Sequence, residues 1–169
     1  MAVKEDYNLF MTNSSNYSLR AYRADEAERA ADIRGLTAED ERQNFKKRLE
    51  PSEGWSAHYK HLALVKDDLL IGDVQLRHCS QTMPPGVAHF GIDVAEEFRG
   101  QGAATKALEL AWDWARENNI HRLEGSTDSS NIAMQKAFEK AGWNFEGVLK
   151  NLFLEDGIGH DYRSYAKTI

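Results

Sequence analysis

The chain lacks most of what would tie it to an oxidising compartment, a membrane or a nucleic acid. Its single cysteine, Cys79, excludes an internal disulfide and suits a reducing, cytoplasmic setting. No apolar run approaches the roughly 20 residues that cross a bilayer, and the N-terminus shows no apolar signal segment. Basic residues (21) are outnumbered by acidic ones (27), so the formal charge is -6. That balance argues against nucleic acid as the main partner, because phosphate contacts need a basic face, and mildly favours a cationic substrate such as an amine. His58, His61, His78, His121 and His160 show no metal-ligand spacing, so no metal is expected. No repeat and no internal domain boundary is visible.

What is present reads as one domain of 169 residues, long enough to bury a core. Residues 1–16, with the cluster Thr12-Asn13-Ser14-Ser15-Asn16, read as a flexible extension, leaving 17–169 as the domain. Tyr17 to Arg23 predicts a first strand. Ala24 to Leu36 and Thr37 to Leu49 predict helices, the second capped by Thr37 with Asp40 at capping-box spacing. Pro51-Ser52-Glu53-Gly54 breaks the pattern. Strands follow at His61 to Val65 and Leu69 to His78, joined by a hairpin at Lys66-Asp67-Asp68, and at Val87 to Val94 after a Pro-Pro-Gly turn. Ala107, Leu108, Ala111, Trp114 and Ala115 mark one face of a long helix. His121 to Thr127 is a strand, Ser129 or Ser130 caps a helix ending at Gly142, and Trp143 to Leu154 and Tyr162 to Ala166 are closing strands joined across Glu155-Asp156-Gly157.

The most informative stretch is Phe98-Arg99-Gly100-Gln101-Gly102-Ala103-Ala104-Thr105, between the Val87–Val94 strand and the long helix. A glycine-rich turn that opens a helix presents backbone N–H groups without intrahelical partners at the positive end of the helix dipole, which suits phosphate. Gly100 and Gly102, lacking Cβ atoms, allow close approach. The stretch has no Gly-Lys-Ser/Thr of a Walker loop, and Thr105 stands where a dinucleotide fingerprint needs its third glycine.

Written as Arg99-x-x-Gly102-x-Ala104, the loop resembles the (Gln/Arg)-x-x-Gly-x-(Gly/Ala) element of the GNAT superfamily of N-acetyltransferases. His121-Arg122-Leu123-Glu124, then Asn131, then Phe138-Glu139-Lys140-Ala141-Gly142-Trp143 resemble its RimJ/RimL-like branch, as do Leu19 to Ala27 and Asp161 to Tyr165. The resemblance implies an α/β fold of the GNAT type: a mixed, mostly antiparallel seven-stranded sheet with splayed central parallel strands, flanked by about four helices. It further implies acetyl-coenzyme A as co-substrate, its diphosphate on Arg99, Gly100, Gln101, Gly102, Ala103, Ala104 and Thr105. The coenzyme arm would lie along Ile92, Asp93 and Val94, with Asn131 and Phe138 as further contacts; the structural alternatives are a second N-cap or Asx turn for Asn131 and plain core or pocket wall for Phe138.

Two positions depart from the family pattern. Many members carry a proton-donating tyrosine where this chain has Phe138, and the RimJ/RimL-like branch often has a serine where Met134 stands. A thiol of pKa ~8.5 leaves as thiolate at a cost of about 2 kcal/mol at pH 7, which does not demand an acid. For the base, some members place a glutamate at the position of Ser126. Glu124, on the same strand face by period-two alternation, is the first candidate, with a salt bridge to Arg122 as its structural alternative; Asp93 and His89 are lesser candidates. The expected activity is acetyl transfer to the primary amine of a protein N-terminus or small molecule, in a monomer or homodimer. Antibiotic or polyamine acetylation, a catalytically silent coenzyme-binding module, and a nucleotide-phosphate binder using the same loop are the alternatives. A weak base favours amines that are already partly neutral, hence α-amines over lysine side chains.

Overall fold

The computed structural model describes residues 16–49 and 58–169. The expected N-terminal extension, apart from Asn16, and the Pro51–Gly54 break lie outside them. Among the described residues, seven strands form one sheet in the order β1-β2-β3-β4-β5-β7-β6. The strands are β1 (Tyr17–Arg20), β2 (Tyr59–Lys66), β3 (Leu69–Arg77), β4 (Val87–Val94), β5 (Arg122–Asp128), β6 (Asn144–Glu155) and β7 (Ile158–Thr168). The helices are α1 (Ala27–Ile33), α2 (Glu39–Leu49), α3 (Ala103–Glu117) and α4 (Ile132–Lys140). All pairings are antiparallel except β4 with β5, which the long α3 crossover makes parallel. The mixed seven-stranded sheet expected from the resemblance is the one observed.

Local chemistry explains the turns. Asp67 and Asp68 take φ of 48° and 66°, and Asp156 and Gly157 take 49° and 79°, the left-handed pairs that match the twist of two-residue hairpins. The second hairpin is longer than expected because pairing continues to Glu155↔Ile158. The first helical segment begins as a 3₁₀ turn, Ala24–Glu26. The second starts at Glu39 rather than Thr37, since its first turn closes on the Ala38 carbonyl (Arg42 N to Ala38 O, 3.0 Å).

Both faces of the sheet carry a core. On one, α3 and α4 pack over a cluster containing Leu62, Leu64, Leu76, Phe90, Leu123 and Tyr165. On the other, α1 and α2 cover Ala63, Val65 and Leu70. The α3 stripe is wider than the sequence indicated: Leu110 and Trp112 are buried while Trp114 is only partly so. The helix packs against α4 as well as against the strands, and Trp112 lies under Lys167 of β7. No described helix is long and apolar enough to cross a membrane.

Candidate active site

The β4–β5 ladder is short. It pairs Val87↔Arg122, Ala88↔Leu123 and His89↔Glu124, then stops, although β4 runs on to Val94 and β5 to Asp128. Beyond His89 the two parallel strands splay into a wedge. Gly125 sits just past the last pair, where a Cβ would lie 3.1 Å from Phe138 Cζ and 3.3 Å from the Phe90 carbonyl oxygen. Only glycine fits there without displacing the aromatic ring or the backbone.

A cavity of about 370 Å³ opens at the wide end of the wedge, between the end of β4, the glycine-rich loop and α4. Ile92, Val94 and Phe98 line it from β4 and the turn that follows, Arg99, Gly100, Gly102, Ala103, Ala104 and Thr105 from the glycine-rich loop, and Asn131, Ala133, Met134, Lys136, Ala137 and Lys140 from α4. Gly102 is the N-cap of α3 with φ of 84°, and Gly100 has φ of 72°. A Cβ at either would meet nothing within 4 Å, so their surface opens onto space. With no side-chain cap on α3, the N–H groups of its first turn remain for an anion. Arg99 donates its Nε hydrogen to the Val94 carbonyl at 2.9 Å, which ties the loop to the end of β4 and leaves the rest of its guanidinium for a ligand.

Several sequence candidates lie elsewhere. Gln101 is turned away, donating to the Glu97 carbonyl at 2.8 Å. Phe138 is 1% exposed and stacks on Tyr165 with ring centroids 4.7 Å apart, so it supports the wedge from beneath without lining it. Asn131 does line the cavity, and its Oδ1 also accepts from the Met134 N–H at 3.1 Å as the N-cap of α4. The cap expected at Ser129 or Ser130 is therefore one to two residues later, because the Ser130 hydroxyl is spent on Asp128 at 2.5 Å. Lys136 and Lys140, absent from the sequence-based site, add two exposed ammonium groups at its rim. Their i, i+4 spacing beside Ala133 and Ala137 was the available signal.

The opposite face of β4 and β5 is polar. Glu124 accepts from His89 Nε2 at 2.7 Å and from Arg122 at 3.0 Å, and Arg122 also bridges to Glu146 at 2.5 Å. Ser126, two residues along β5, is exposed on this face. Asp93 faces Asp73 across the β3–β4 ladder, and Arg34 spans both, at 2.8 Å from Asp73 and 3.1 Å from Asp93. Burial, and then the Asp73 carboxylate, push the Asp93 carboxyl above its ordinary range, with Arg34 opposing. Tyr22 and His61 also bond the fully buried Asp73. The candidate bases thus lie on one side of the wedge and the glycine-rich loop on the other. Among the described residues no group of three His, Cys, Asp or Glu side chains is arranged to hold a metal.

Comparison with known proteins agrees with this geometry. The model of the acetyltransferase (GNAT) domain matches residues 10–144. A probable N-acetyltransferase of Bacillus subtilis, YjcK, is 30% identical over 127 residues, 72% of this chain, and the chain spans 66% of that protein's length. The solved structure of RimL, a ribosomal L7/L12 α-N-protein acetyltransferase in complex with coenzyme A, superposes with a TM-score of 0.75 at 19% identity, covering 92% of this chain and 96% of that one. A chimera of the spermidine N-acetyltransferase SpeG from Vibrio cholerae and hSSAT gives 0.76 at 20%, covering 91% and 96%. At these identities the structural likeness is one of fold, while the family match spans most of the sequence: the chain belongs to the acetyltransferase (GNAT) domain family.

Proposed function

We propose that this chain transfers an acetyl group from acetyl-coenzyme A to a primary amine. The observation that carries the reading is the open β4–β5 wedge running into an uncapped, glycine-bounded helix N-terminus. The coenzyme, when bound, supplies the acyl group as an activated thioester. The chain's part is to hold and orient it. The first-turn amides of α3, with Arg99, Lys136 and Lys140, suit a diphosphate; the β4 edge at Ile92, Asp93 and Val94, left without β5, suits an amide-bearing arm. Free N–H groups on that edge would also polarise the thioester carbonyl. The Asn131 side-chain amide keeps its donors for the same arm while its oxygen caps α4. Glu124, Asp93 and Ser126 stand on the acceptor side as the groups available to handle the amine's proton.

For the acceptor, the chain's net charge of -6 favours a cation, and the two solved relatives are named for a protein α-amine and for spermidine. We take a protein N-terminus or a small-molecule amine as the substrate class. One observation favours a second reading, a coenzyme-binding module without turnover: Phe138 has no hydroxyl and is buried, and Met134 lines the cavity without one. Coenzyme A at 100 times its dissociation constant should stabilise the fold by about 2.7 kcal/mol. No stabilisation at saturation refutes both readings, and stabilisation by ATP or NAD in its place assigns the loop to nucleotides. Stabilisation by coenzyme A without acetylation of a free-amine hexapeptide or spermidine selects the silent module.

A further inference from the structure

The wedge has a direction. Its wide end is at Val94, beside the cradle, and its apex is the last β4–β5 pair, His89↔Glu124. A coenzyme with its diphosphate on the cradle and its arm along β4 points its acyl end toward that apex. The side chains standing at the apex on the acceptor side are His89 and Glu124, and their contacts divide the work between them. Both Glu124 oxygens are engaged, one by His89 Nε2 at 2.7 Å and the other by Arg122 at 3.0 Å. A carboxylate at that distance places the imidazole hydrogen on Nε2 and the lone pair on Nδ1. Among the described residues nothing bonds that second nitrogen, and the His89 side chain is 40% exposed. Asp93, farther along β4 on this face, is tied to Arg34.

We propose that His89, oriented by Glu124 and Arg122, is the catalytic residue that takes the proton from the acceptor amine, with Nδ1 as the receiving atom. The proposal rests on the acetyl-transfer reading. The acceptor's ammonium gives one proton to Nδ1, leaving a neutral amine and an imidazolium. The amine's lone pair forms the C–N bond to the acyl carbon, and the C–S bond breaks with its electron pair on sulfur. A second proton from the nitrogen goes to that sulfur, and His89 releases its proton to water. Ammonium and thioester thereby become amide, thiol and one proton.

The electrostatics around the ring agree. Burial lowers the proton affinity of His89 below the ordinary imidazole value of 6.5. Glu124 on β5 opposes the shift, whereas Arg77, its register partner on β3, and Arg122 on β5 reinforce it. The ring is therefore neutral and able to accept at neutral pH. Glu124 and Arg122 act through His89 and are positioning residues.

The test uses the full-length protein with a free-amine hexapeptide and with spermidine as acceptors. H89Q should lower kcat about 100-fold, keep the KM for acetyl-coenzyme A and the thermal shift with coenzyme A, and lose the acidic limb of the pH–rate profile. E124Q should move that limb to lower pH, because the charge that favours imidazolium is gone. In the wild type, nitrogen NMR of the imidazole should find the Nε2–H form, titrating below 6.5 without any coenzyme. An H89Q enzyme with unchanged kcat and acidic limb, or a ring found as Nδ1–H, overturns the proposal. A wild type that neither binds coenzyme A nor acetylates either amine overturns the acetyl-transfer reading itself, and this assignment with it.

Discussion

Two glycines of the site owe their identity to different constraints, and substitution separates them. At Gly125 the obstacle is space. A Cβ would press on Phe138, which is held between Trp143 and Tyr165, and on the Phe90 carbonyl. Gly125→Ala should cost about 1–3 kcal/mol in urea unfolding, the usual penalty for overfilling a packed core. An unchanged midpoint would show that the apex of the wedge is looser than its packing indicates. At Gly102 space is free and the backbone is the obstacle, with φ of 84°. Gly102→Val should fold with roughly 1–2 kcal/mol less stability and lose most of its thermal shift with coenzyme A, since the side chain occupies the cradle. A full shift in that variant would remove the cradle from the loop.

At the scale of elements, α4 carries two roles at one residue. Asn131 caps the helix through its oxygen and faces the cavity. Asn131→Ala should lose both, with about 1 kcal/mol of stability gone with the cap. Asn131→Ser restores a capping oxygen without the amide donor. Denaturant melts of the serine variant should return close to wild type while its affinity for coenzyme A stays low. Wild-type affinity in the serine variant would mean that the amide makes no contact with the coenzyme.

The whole molecule sets the choice of acceptor. The chain's net charge of -6 draws cations, but attraction does not remove a proton. A lysine amine, pKa about 10.4, costs roughly 4–5 kcal/mol to neutralise at pH 7, against about 1 kcal/mol for an α-amine of 7.7–8.0. A hexapeptide with a free N-terminus should therefore be acetylated faster than an N-blocked lysine peptide at pH 7. The gap should narrow as pH rises toward 9, because the lysine amine gains its neutral form over that range. Initial rates between pH 6.5 and 9 decide this, and a faster lysine peptide at pH 7 would mean a stronger base than the described side chains supply.

Local chemistry reaches a definite distance in this protein. The glycine-rich turn, the β4 strand and the α3 helix that follows were legible because each rests on neighbours in sequence: a glycine pair, an apolar run, a 3.6-residue period. The alternation that puts Glu124 and Ser126 on one face of β5 was legible for the same reason. The start of α2 was misplaced by two residues at Glu39, and among Ser129, Ser130 and Asn131, all able to cap α4, nearby contacts chose Asn131. Only the tertiary structure decided that β4 and β5 part after His89, that Phe138 lies under the wedge, and that Lys136 and Lys140 reach its rim. It also brought Arg34, Asp73 and Asp93 together, and joined His89 to Glu124 across 35 positions of chain. Those features depend on the register between distant strands, and register follows from how the two cores pack on the sheet, which no local pattern encodes.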